Sequence, residues 1–258
     1  MKGKRLPAYA VTPEFLVRFE TYLAQEEGNS RNTIVENLKI LSYLLSMAGV
    51  EENPFRIYKM SREQPRRNYL VEEDLQRLMA LPLRPGIEES TARDIFYVEC
   101  RTGLRISDLL QLRWCDFDGR FVRIQMQKTK RRIEVPVSRR VCSILSGYRT
   151  LFSRENDTIF PELGLPDDSI QDSFSQARRV IYATARVNYH IKRLAARAGI
   201  DKPISTHVGR HTFATTLLDK GASIYEIKEL LGHQDVKVTQ IYAHVLDSRK
   251  QELVEMLE

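Results

Sequence analysis

"THVGRH" at residues 206–211, continued by "TFATTLLDKGASIYEIKELLGHQDVKVTQIYAHV" to residue 245, decides how this chain is read. The chain has five histidines, and four of them, His207, His211, His233 and His244, fall in this stretch. On a helix His207, Arg210 and His211 stand at i, i+3 and i+4 and share one face. Paired imidazoles at that spacing would serve a metal if an acid or a third ligand stood beside them. The neighbour here is a guanidinium, which repels a cation. An arginine flanked by imidazoles suits a phosphate instead, with a bidentate fork for two oxygens and further donors alongside. Gly221 can close this helix in the left-handed conformation, and Ser223 with Glu226 opens the next through a capping box. Ile224, Ile227, Leu230 and Leu231 give that second helix a buried stripe, and His233 falls at its end. Val238, Ile241, Tyr242 and Val245 form a short stripe of their own.

Taken singly, each residue has a plainer reading. Tyr242 reads as a packed core tyrosine, His207 and His233 as hydrogen-bonded histidines, Arg210 as an ion-pair partner and His211 as a packed neighbour. Their grouping is what points to chemistry. A second group precedes them in "RTGLRISDLLQLRW", residues 101–114. Gly103 breaks one helix and Arg105 opens the next, with Asp108 at i+3 and Leu109, Leu110 and Leu112 turned inward. Arg105 either pairs with Asp108 on the surface or points into the site of Arg210, oriented by Asp108. Between the two groups, "FVRIQM" (121–126) and "IEVPV" (133–137) alternate apolar and polar residues and read as a β-hairpin. Its loop, "QKTKRR", is basic.

Helices are expected at 71–80, at 88–101 and from near Arg105, and the chain from about 138 onward is mostly helical. Toward the N-terminus, residues 12–27 have Phe15, Leu16, Phe19, Tyr22 and Leu23 at helical spacing, with Thr12 as N-cap and Pro13 at the first position. "GNS" interrupts, and residues 31–48 run helical again. "NPFRIYKMSREQPRRN" (53–68) is polar, basic and proline-containing and reads as a linker. The division expected is therefore a small helical unit at 1–65, linker included, and a larger domain at 66–258. The fold class is mainly α with one small antiparallel hairpin.

With 258 residues, 42% hydrophobic and 29% charged, the chain has an ordinary globular composition. Its apolar runs fall short of the ~20 residues that span a bilayer. The N-terminus lacks a secretory pattern, so a cytoplasmic location is expected. Three cysteines, Cys100, Cys115 and Cys142, stand too far apart for a CxxC motif and argue for reduced thiols. The net charge is +6. It concentrates in one stretch holding Arg120, Arg123, Lys128, Lys130, Arg131, Arg132, Arg139 and Arg140, and in a second with Arg178, Arg179, Arg186, Lys192, Arg193 and Arg197. Such runs are either solvated faces or a footprint that neutralises phosphates. Charge alone does not choose between them.

The chain resembles the tyrosine recombinases of the phage integrase family, in particular those of bacterial mobile elements. "TGLRISDLLQL" is similar to that family's first box, "THVGRHTFAT" to its second and "LLGHQDVKVTQIYAHV" to its nucleophile segment, in order and at family spacing. The resemblance runs from Thr12 to about Val245. It implies a two-lobed DNA clamp, a SAM-like N-terminal domain followed by a catalytic domain. The catalytic residues it implies are Arg105, Lys128 (Lys130 if the loop is shifted), His207, Arg210, His233 and Tyr242, with Asp108 in support. Arg66, Arg67, Lys130, Arg131 and Arg132 would meet DNA. His211 and His244 are neighbours in this scheme.

The implied reaction needs no metal and no cofactor. Tyr242 attacks a phosphate, Arg105 and Arg210 hold its oxygens, His233 donates to it, His207 takes the phenolic proton and Lys128 protonates the leaving 5′-oxygen. The implied partners are double-stranded DNA at specific sites, a homotetramer formed through exchange of the 246–258 tail, and a directionality factor. A nucleoid-associated location follows. Two alternatives are an inactive accessory DNA binder of the same fold and a type IB topoisomerase-like activity. Gly209 departs from the family, which usually has a larger apolar residue there, and is expected to loosen that helix. The N-terminal unit shows two helices where about four are usual, and an arm-binding domain is not visible, which reads either as a truncated form or as a reduced DNA clamp.

Overall fold

The computed structural model describes residues 6–63, 68–161 and 173–242. The chain divides into two compact units, Met1–Arg66 and Arg67–Glu258.

In the N-terminal unit, helix α1 spans Pro13–Gln25 and α2 spans Arg31–Met47. Both begin where a hydroxyl can satisfy an orphan backbone donor. Thr12 Oγ1 accepts from Phe15 N at 3.2 Å, and Ser30 Oγ from Thr33 N at 3.3 Å. Leu16 and Leu23 from α1 meet Ile34, Leu38 and Leu45 from α2 in a small core with Val11. The stretch read as a linker is only partly one. Pro54 is buried in a short 3-10 turn, and Phe55, Tyr58 and Met60 pack on the helical core. Arg31 donates to the Ser61 carbonyl and Asn32 to that of Glu63. The apolar residues scattered through a basic sequence are what bind this stretch down.

In the larger unit the order is α3 (Glu72–Met79), α4 (Glu88–Thr102), α5 (Ile106–Leu110), β1 (Phe121–Gln125), β2 (Arg132–Pro136), α6 (Arg139–Ser146), α7 (Ser173–Arg197), α8 (Thr206–Asp219), α9 (Ile224–Leu231) and α10 (Lys237–Gln240). Helix α4 lies at the centre, with α7 and α8 packed against it. It is buried on nearly every side, through Ile95, Phe96, Tyr97, Val98 and Cys100, which is why its sequence lacks a clean polar face. The strands form one antiparallel pair, Phe121 opposite Pro136 and Ile124 opposite Ile133. Val122, Ile133 and Val135 face the core, while Arg123, Arg132 and Glu134 face solvent. A mainly helical fold with a single hairpin is what the periodicities predict. Cys100, Cys115 and Cys142 are unpaired, and no described helix is long and apolar enough to cross a membrane.

Candidate active site

Helix α8 carries the opening motif into the interior. Val208, Gly209, Arg210, Thr212, Phe213 and Ala214 are all buried, so a charged side chain here must find partners. Arg210 finds them at two helix ends. Its Nη1 donates to the Gly103 carbonyl at 2.5 Å, and its Nη2 donates to the Leu231 carbonyl at 2.6 Å and to His233 Nε2 at 2.9 Å. Gly103 terminates α4 at φ 66°, and Gly232 follows the last residue of α9 at φ 62°. The guanidinium thus joins two helix C-termini, where unpaired carbonyls and the negative pole of the helix dipole favour a cation. Glycine is required at both turns for a second reason. A Cβ on Gly103 would lie 2.4 Å from Phe213 Cδ1, and one on Gly232 would lie 2.4 Å from Met126 Sδ.

Burial lowers the pKa of Arg210 to about 10, helped by the positive charge of Arg105 and opposed by Tyr242, Glu99 and Asp108. Arg210 stays charged at neutral pH. Two guanidiniums close enough to repel in a partly dry site favour an anion between them. Arg105 stands at the N-cap of α5, half-buried, with Nη1 3.6 Å from Met126 Sδ.

His233 follows α9 and is buried. Accepting from Arg210 at Nε2 leaves its proton on Nδ1, which donates to Thr239 Oγ1 at 2.9 Å. Burial, with Arg210 and Arg105 adding to it, drops its pKa to about 4, so the ring is neutral. Both nitrogens are engaged, so donation to a phosphate would require these bonds to open.

Asp108 is buried, and burial raises its pKa above the ordinary carboxylate value. Its Oδ1 accepts from Gln127 N at 2.9 Å, which anchors the hairpin turn immediately before Lys128. Lys128 itself is exposed in that turn. Lys130 adopts φ 56°, a left-handed conformation unusual for a side chain with a Cβ. Lys130 and Arg132 are exposed. Arg131, expected at DNA, is half-buried. It donates to the His233 carbonyl at 3.2 Å and pairs with Glu229, tying the hairpin to the end of α9. His207 lies on the first turn of α8 and is exposed.

Tyr242 is 2% exposed, in a cluster with Phe213, Ala214, Leu218, Ile227 and Leu231. Its hydroxyl lies 2.7 Å from His211 Nδ1, and the two rings meet edge to face with centroids 5.5 Å apart. The fold therefore gathers Arg105, Asp108, Arg210, His233 and Tyr242. Among the described residues, no hydrogen bond or ion pair links Lys128 or His207 to them. Arg66, Arg67, His244 and the 246–258 tail lie outside the described residues.

The sequence reading left His211 a mere neighbour and missed Glu99. His211 is in register with His207, and nothing in the spacing distinguishes it from a packed histidine. Glu99 sits in the apolar run of α4, buried, with Oε2 lacking a hydrogen bond and its pKa pushed well up by burial despite Arg210 nearby. Its carboxylate accounts for Gly209. A Cβ there would lie 2.6 Å from Glu99 Oε2, so the missing side chain makes room for an acid and is no mere loosening of the helix. No metal-ligating cluster occurs among the described residues.

Comparison with known proteins bears directly on this arrangement. Residues 68–249 match the family model described as "Phage integrase family", and residues 1–60 match "Phage integrase SAM-like domain". A tyrosine recombinase of Thermosipho africanus is 31% identical over 84% of this chain and 71% of its own length. Tyrosine recombinase XerD of Shewanella oneidensis is 32% identical over 83% of this chain and 70% of its own. Among solved structures, XerA recombinase superposes with a TM-score of 0.55 at 26% identity, over 98% of this chain and 85% of that one. The XerH site-specific recombinase bound to palindromic difH substrate shares the fold with a TM-score of 0.68 at 19% identity, over 96% and 72%.

Proposed function

This chain belongs to the phage integrase family and is a site-specific tyrosine recombinase, and we propose that it breaks and rejoins duplex DNA through a 3′-phosphotyrosyl link on Tyr242. One observation carries the reading. Arg210, fixed on the carbonyls that end α4 and α9, lies within electrostatic reach of both Arg105 and the Tyr242 phenol, whose hydroxyl is held 2.7 Å from the adjacent His211. The Tyr242 oxygen attacks the scissile phosphorus in line and a 5′-hydroxyl leaves. Bond energy is kept in the phosphotyrosyl ester, so rejoining needs no ATP. Arg105 and Arg210 stabilise the charge that grows on the non-bridging oxygens, an effect on the order of several kcal/mol in phosphoryl transfer. Turning Arg210 from the two carbonyls toward a phosphate exchanges neutral acceptors for an anionic one.

Lys128, on its exposed turn, protonates the leaving oxygen, with Lys130 as the alternative in a shifted loop. Asp108 acts by holding that turn. His207, which the resemblance makes the proton acceptor, is exposed on the first turn of α8. Lys130, Arg132, Arg66 and Arg67 neutralise backbone phosphates, so affinity falls steeply with salt. On two sites the protein works as a tetramer with residues 246–258 seated on the neighbouring protomer, under a directionality factor, in the cytoplasm at the nucleoid.

A nicked suicide duplex tests this reading. Wild type accumulates a covalent protein–DNA adduct, and Tyr242→Phe forms none. An adduct with Tyr242→Phe would remove Tyr242 as the nucleophile. Arg210→Ala should bind the duplex nearly as wild type while cleaving it at least 100-fold more slowly.

A further inference from the structure

The attacking phenol must lose a proton, and its unperturbed pKa near 10 leaves it protonated at neutral pH. Of the four histidines clustered with it in sequence, three lie among the described residues. His233 has one nitrogen on Arg210 and the other on Thr239, and burial keeps it a weak base. His207 is exposed and has no described contact with Tyr242. His211 Nδ1 lies 2.7 Å from the hydroxyl itself.

We propose that His211 is the proton acceptor of the nucleophile, a further catalytic residue of the reaction. The proposal rests on the assignment of Tyr242 above. With its own proton on Nε2, the neutral imidazole presents a lone pair at Nδ1, and the Tyr242 O–H donates to it. As the Tyr242 oxygen bonds to phosphorus, its proton passes to Nδ1. The bond from phosphorus to the 5′-oxygen breaks, and that oxygen takes a proton from the Lys128 ammonium. In rejoining, each proton returns along the same path, so the imidazolium stores the one the phenol needs back. The placement suits the task. His211 is half-buried, beside the buried phenol and one helical turn on from the exposed His207 on the same face of α8. The adjacent Arg210 stabilises the phenolate character that develops as the proton leaves.

Two variants and one altered substrate test this with the full chain. His211→Phe keeps a flat ring without an acceptor. His211→Asn keeps an acceptor oxygen near the place of Nδ1, able to hold the hydroxyl but unable to take its proton. Both should bind the nicked duplex as wild type does and form the covalent adduct about 100-fold more slowly or worse, the usual range for a lost general base. A duplex with sulfur in place of the bridging 5′-oxygen has a leaving group that needs no acid. It should restore Lys128→Ala and leave both His211 variants slow. Cleavage by His211→Asn at the wild-type rate would make His211 a holding residue and overturn the proposal. So would wild-type rates with His211→Phe, or rescue of His211→Asn by sulfur. Should His211→Phe fail to fold by its thermal melt, His211→Asn decides alone. An adduct with Tyr242→Phe is a different failure, since it removes the nucleophile assignment itself.

Discussion

Gly209→Ala is the substitution whose sign the structure sets against the usual expectation. In the interior of a helix, replacing glycine by alanine ordinarily stabilises by about 1 kcal/mol. Here the new methyl would meet Glu99 Oε2 at 2.6 Å and its Cγ and Cδ at 3.1 Å. Glu99 is 1% exposed on a helix packed against α8, so its carboxylate has little room to withdraw. Overpacking of this kind costs about 1–3 kcal/mol. The two effects leave Gly209→Ala destabilising by about 0–2 kcal/mol. Glu99→Ala removes the obstacle, and in that background Gly209→Ala should stabilise by about 1 kcal/mol. The coupling between the two positions is then about 1–3 kcal/mol. Trp114 is the only tryptophan and is buried in the larger unit, so its fluorescence in a urea titration reports on that unit. A Gly209→Ala gain equal in both backgrounds would refute the steric account of Gly209.

Glu99→Gln should alter stability in a pH-dependent way. Burial raises the carboxyl pKa of the folded state, so its favourable contribution is complete below the unfolded value, about pH 4.5, and is lost as pH rises toward the folded one. The amide does not titrate, so relative to wild type it should gain more at pH 8 than at pH 5; urea midpoints at the two values decide, and the opposite order would contradict a carboxyl held neutral. Thr239→Val removes the acceptor of the His233 Nδ1 proton and leaves a buried donor unpaired, a loss of about 1–3 kcal/mol. For a unit of this size that is a fall in Tm of about 2–4 °C per kcal/mol, and an unchanged melt would show that the His233–Thr239 bond contributes nothing to stability.

Much of the architecture was legible because local chemistry and tertiary packing agree. The hydroxyl caps at Thr12 and Ser223, the left-handed glycine after α4 and the alternation of Val122 and Val135 are all local signals, and each element stands where they put it. The stretch at 53–63 failed for the converse reason. Its proline and basic residues say linker, and only contact with α1 and α2 reveals that Phe55 and Tyr58 are held.

The order of the boxes pointed to the class of protein through the family resemblance it carries, and the elements themselves were legible because helix periodicity and caps depend on neighbours a few positions apart. The details of the site depend on pairs far apart in the chain. Arg210 reaches carbonyls 107 and 21 positions away, and the Tyr242 hydroxyl finds a histidine 31 positions back. Which of the three described histidines meets the phenol, and why α8 has a glycine where a side chain would fit its helix better, are settled by packing. A periodic pattern says which face of a helix is buried, and only the neighbouring helix says against what.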